Sequence, residues 1–88
     1  MERIPSLRRK IDEIDARILR SLKERMEVSK AIGKIKRENG LPIRNLERED
    51  DLYARISERA SKLGLVPEET KAIFRQVIAM SIRVQEDE

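Results

Sequence analysis

Arg25 is the first residue in this chain whose position asks for chemistry. It interrupts a lane of isoleucines, Ile4, Ile11, Ile18 and Ile32, that follows a seven-residue spacing. An unpaired guanidinium in an apolar lane is too costly to leave without an acidic partner or a bound anion. Lys36 lies eleven residues further on, about three helical turns, and so projects from a similar face. A second charged set occupies "GLPIRNLERED", residues 40–50. There Glu49 and Asn45, with Arg48 beside them, extend the line of Leu52 and Ile56 backward at helical spacing. A third pair, Ser81 and Gln85, extends the line of Phe74, Val77 and Ile78 forward. Gathered in one place, these cations, neutral donors and single carboxylate suit a small dianion that also carries a hydroxyl.

Each residue also has a structural reading. Arg25 fits an ion pair or a register-setting polar position. Lys36 fits dipole pairing near a helix C-terminus. The polar ends of the other two lines fit frayed helix termini, and the acidic residues Glu47, Glu49 and Asp50 fit a solvated first turn. The chain has no His and no Cys, which excludes Ser-His-Asp and Cys-His catalysis, disulfides and the usual zinc sets. Catalysis is left with charge and positioning.

The elements that must hold these groups are helices. Leu7, Ile14, Val28 and Ile35 form a second lane beside the isoleucines, broken only at Ser21, and the double lane is a strong helix signal. It stops at Asn39 and Gly40, which tolerate the left-handed C-cap conformation, with Pro42 preventing continuation. Helix 1 is therefore expected over residues 4 to 38, about 50 Å long. A compact chain of this length measures only about 30 Å across, so the stripe must continue onto another chain, most simply a two-fold related copy. Helix 2 is expected from Leu46 to Leu63, burying Leu52, Ile56, Ala60 and Leu63, with Gly64 at its end. Pro67, Glu68 and Glu69 then suit the start of helix 3.

Composition agrees. At 88 residues the chain is one domain, residues 1–88, with a modest core of its own. Charged residues make up 42% and the only aromatics are Tyr53 and Phe74, which disfavours a sheet core. The +3 net charge comes from 20 basic and 17 acidic residues that are closely interspersed. That pattern disfavours disorder and a dedicated polyanion binder. No stretch resembles a signal peptide or a membrane span, so the cytoplasm is the expected compartment. The fold class is all-α: one long and two shorter helices per chain, intertwined with a second copy as a homodimeric bundle.

Three segments, "LRRKIDEIDARILRSLKER", "GKIKRENGLPIRNLERE" and "AMSIRVQ", occur in the order that resembles the all-helical, AroQ-type chorismate mutases. The resemblance implies an intertwined homodimer that converts chorismate to prephenate by a Claisen rearrangement, in the biosynthesis of phenylalanine and tyrosine. It implies no cofactor and no metal. Position by position, Arg25 resembles an arginine that binds a substrate carboxylate, and Arg48 one that lines the same pocket. Lys36 and Gln85 resemble the donors to the ether oxygen, with Lys36 also reaching a carboxylate. Glu49 resembles the acceptor of the ring hydroxyl, Ser81 a residue near the ring carboxylate, and Arg8 an arginine supplied by the other subunit. Asn45 stands where many relatives carry Asp, which removes a charge near the hydroxyl.

Two other functions fit the same residues. One is an isochorismate pyruvate lyase, which shares the fold and a similar cationic pocket. The other is a non-catalytic helical dimerisation module, in which Arg25 and Lys36 would be structural ion pairs. Nucleic-acid binding fits poorly, because basic and acidic residues alternate without a basic stripe or stacking aromatics.

Overall fold

The computed structural model describes residues 3–87 and contains three helices, with no strand among the described residues: α1 (Arg3–Glu38), α2 (Leu46–Lys62) and α3 (Pro67–Glu86). Their ends follow from local chemistry. After α1, Gly40 adopts φ 64°, and Leu41 N–H reaches back to Lys36 O at 2.8 Å while Gly40 N–H reaches Arg37 O at 3.3 Å. These two bonds satisfy carbonyls that the last turn leaves orphaned. Gly64 repeats the arrangement after α2. Asn45 caps the start of α2, its Oδ1 accepting from Arg48 N–H at 3.0 Å. At the start of α3, Pro67 occupies a position where an amide hydrogen would have no helical partner.

α3 is the middle element. It packs against both α1 and α2, which stand apart on either side of it. The buried apolar residues are Ile56 and Ala60 on α2 and Val77 and Ile78 on α3, one helical stripe laid on another. Leu63, expected on the buried face of α2, is instead exposed. It is the C-cap residue, lying past the last helical turn, where the 3.6-residue spacing no longer governs its direction.

α1 outruns this core. The chain measures 58 × 27 × 15 Å with a radius of gyration of 16.4 Å, against about 12 Å for a compact chain of this length. Both apolar lanes of α1 stay open to solvent, with Ile11 56%, Ile18 52% and Ile35 57% exposed. Only Ser29 and Gly33 of α1 are buried. Among the described residues no helix is long and apolar enough to cross a membrane.

Candidate active site

The half of α1 that does pack, the 39–45 loop, the first turns of α2 and the end of α3 enclose a cavity of about 430 Å³. Arg25, Lys36, Asn45, Arg48, Glu49, Ser81 and Gln85 all line it. The three groups that the sequence singles out thus meet in one volume. Arg8 does not join them. It is exposed near the start of α1, roughly 25 Å along the helix from Arg25 at 1.5 Å per residue.

Arg25 sits at the cavity wall, partly buried, and donates to the buried Ser81 hydroxyl. Loss of solvent, and then the nearby Arg48 guanidinium, push its pKa below the usual arginine value. Arg48 makes only a 3.5 Å pair with the exposed Asp51. No carboxylate of the described residues lies within ion-pair reach of Arg25. Two like charges therefore face one cavity with little to neutralise them, an arrangement that favours an anion between them.

At the other end, the Lys36 ammonium donates to Ile43 O at 2.6 Å and to Gln85 Oε1 at 3.0 Å. The first bond ties the loop to α1. The second fixes the Gln85 amide so that its carbonyl faces Lys36, leaving its NH₂ group as a donor. Lys36 retains one further N–H. Two donors from different helices are thereby held side by side at one cavity wall.

Glu49 is gripped by Arg44, with Nε to Oε2 at 3.1 Å and an Nη to Oε1 at 2.6 Å. That hydrogen-bonded pair lowers the Glu49 pKa against an opposing push from burial, with a smaller contribution from Lys36. Glu49 is held as a carboxylate, an acceptor only, and each oxygen keeps a free lone pair. Asn45 is also partly committed, because its Oδ1 caps α2 and only its NH₂ remains for a ligand.

Several contributors had little sequence signal. Val28, Ile32, Leu52, Ile78 and Ile82 supply the apolar walls; the first four fall in the periodic lines, which mark helix faces without indicating a cavity. Ser29, buried and lining the site, interrupts no lane and carried no signal. Arg44 also lines the cavity, where it pairs with Glu49.

Three helices thus surround a cationic cavity with neutral donors and one carboxylate, an arrangement suited to a small anion. The family model for chorismate mutase type II matches residues 7–86, and the chain belongs to that family. It is 36% identical over 88 residues to a bifunctional chorismate mutase/prephenate dehydratase of Aquifex aeolicus, covering 97% of this chain and 24% of that protein. It is 43% identical over 56 residues to a chorismate mutase of Methanocaldococcus jannaschii, covering 64% of this chain and 57% of that one. A T-protein of Enterobacter agglomerans is 32% identical over 84 residues, covering 96% of this chain and 22% of that protein. The chain thus spans less than two thirds of the length of these curated relatives. Among solved structures, a conserved hypothetical protein from Pyrococcus furiosus superposes with a TM-score of 0.74 at 38% identity, covering 93% of each chain.

Proposed function

We propose that this chain, as a single domain, catalyses the rearrangement of chorismate to prephenate. The observation that carries the reading is the joining of Arg25, Arg48, Lys36 and Gln85 in one cavity, in a chain of the chorismate mutase type II family. The substrate is a dianion with a ring hydroxyl, which matches two arginines, one lysine and one carboxylate acceptor. Within one molecule the ether C–O bond breaks as a new C–C bond forms. No proton, electron or group has to leave, so the reaction requires neither a general base nor a cofactor. Its demands are a compact substrate conformation and stabilisation of negative charge on the ether oxygen.

Arg25, with Ser81 and Arg48, is assigned to the substrate carboxylates. Lys36 and the Gln85 NH₂ group are assigned to the ether oxygen, where preorganised donors act most strongly as charge develops. Glu49 is assigned to the ring hydroxyl as acceptor, with the Asn45 NH₂ group nearby.

The working unit in this reading is a homodimer. A folded monomer of 10.3 kDa is expected to expose roughly 5,400 Å², whereas this chain exposes 7386 Å². The excess, roughly 2,000 Å² per chain, is on the scale of an obligate interface. It coincides with the open lanes of α1, which favours an antiparallel or crossed pairing of long helices. Arg8, remote from its own cavity, is then available to the partner's.

Incubation with chorismate and, separately, with isochorismate, followed by product identification, tests the reading. Prephenate from chorismate supports it. Release of pyruvate from isochorismate, with chorismate untouched, would replace it with the lyase function, and no turnover of either would leave a dimerisation module.

A further inference from the structure

We infer that Gly33 and Arg37 are positioning residues that act through Gln85, an inference that rests on the chorismate mutase reading of the site. Gly33 lies three residues before Lys36 and four before Arg37 on α1, so its face adjoins both. All three meet the same residue of α3. A Cβ on Gly33 would stand 2.7 Å from Gln85 Cα, 2.9 Å from its carbonyl oxygen and 3.0 Å from its Cβ. Two of those atoms are backbone and cannot turn aside. Arg37 Nη1 donates to the Gln85 carbonyl oxygen, and Lys36 holds the Gln85 side chain at Oε1.

Gln85 needs this grip because of where it sits. It is the penultimate residue of α3, in the turn whose carbonyls lack intrahelical partners and whose ends fray. A donor at that position would ordinarily wander. The Arg37 guanidinium supplies the missing bond from outside the helix and also complements the negative end of the dipole. Gly33 permits the close crossing that makes the bond and the Lys36 contact simultaneous. Neither residue lines the cavity, so neither touches substrate. Their effect is to hold the Gln85 NH₂ donor in register with Lys36.

A side chain at 33 forces α3 back by roughly 0.7 Å to reach ordinary contact, and displacements near 1 Å can cost about 100-fold in rate. Gly33→Ala is expected to lower kcat by about 10- to 100-fold with KM changed less than about three-fold. Arg37→Ala should lower kcat by about 3- to 10-fold in the same pattern, and Arg37→Lys should restore part of it by donating to the same carbonyl. The deciding measurement is a double-mutant cycle, made on the intact dimer. In a Gln85→Ala background, Arg37→Ala should produce no further loss of kcat. An undiminished loss there would overturn the inference, because Arg37 would be acting elsewhere. Should Gly33→Ala fail to fold, the Arg37 variants decide alone.

A second readout separates this inference from the functional reading. Should the wild-type chain leave chorismate unchanged, the function falls, and NMR of the Gln85 side-chain amide still tests the geometry. Arg37→Ala is expected to speed exchange of that NH₂ group with solvent. Unchanged exchange would refute the positioning role.

Discussion

Arg44 and Glu49 form a two-point ion pair, Nε to Oε2 at 3.1 Å and Nη to Oε1 at 2.6 Å, that joins the 39–45 loop to the first turn of α2. The pair fixes the charge state of a carboxylate on the cavity wall. Glu49 is only 14% exposed, whereas Arg44 is 57% exposed, so solvent screens the attraction and its worth to stability is small. Its worth to the site lies in orientation.

The first prediction follows from the sign of the Glu49 shift. Its folded-state pKa lies below its unfolded value, chiefly through the Arg44 hydrogen bond. That contribution to stability is present above the unfolded pKa and is lost as pH falls through the folded one. Arg44→Ala should therefore raise the Glu49 pKa, read by carboxyl NMR titration. It should lower Tm modestly at neutral pH and not at all in strong acid, where wild type and variant converge. An equal Tm difference at both pH values would show that Arg44 acts through something other than this pair.

The second concerns Gln85, a neutral donor at every working pH. Gln85→Glu can donate to an ether oxygen only while protonated. Its activity should be highest in acid and fall along a single titration as the carboxyl ionises, measured as kcat/KM against pH. A pH profile identical to that of the wild type would remove Gln85 from the ether oxygen.

The third separates capping from substrate contact at Asn45. Its Oδ1 accepts from Arg48 N–H, so Asn45→Ala should cost about 1 kcal/mol of stability. Asn45→Asp keeps the cap and adds a charge that suits a helix N-terminus, and its Tm should equal or exceed that of the wild type. A Tm lowered by Asn45→Asp as much as by Asn45→Ala would mean that the cap is not what the side chain supplies.

Gly40 and Arg37 show how far the sequence reaches. The helix ends were legible because each rests on local chemistry: Gly40 and Gly64 in the left-handed conformation, Pro67 at a first turn. Arg25 was legible because it breaks a periodic lane, and the excess length of α1 followed from arithmetic. Arg37 was invisible. Its partner lies 48 residues away, it falls outside both lanes, and its target is a backbone carbonyl that every residue carries. Gly33 was equally silent, since a glycine inside a helix reveals nothing about the neighbour that its missing Cβ admits. Family resemblance assigned roles to the cavity residues, while the contacts that hold those residues in place belong to this chain's tertiary packing.

The fourth prediction tests the shared site, which two separate observations support. α1 leaves both apolar lanes exposed, and Arg8 lies far from the cavity of its own chain while resembling a residue supplied by a neighbour. Lys36→Ala should lower kcat/KM by about 100-fold or more, equivalent to roughly 2.7 kcal/mol of transition-state stabilisation. If Arg8 binds substrate across the interface, Arg8→Ala should also be nearly inactive. Unfolding the two variants together and refolding the mixture then produces heterodimers in which one site combines an intact Lys36 with an intact Arg8. The other site carries both lesions. With random pairing about one quarter of all sites are intact, and activity should recover to about that fraction of wild type. If Arg8 served its own chain's cavity, every site would keep one lesion. Absence of recovery, with heterodimers confirmed by mass spectrometry, would reject the shared site and leave Arg8 as a surface residue.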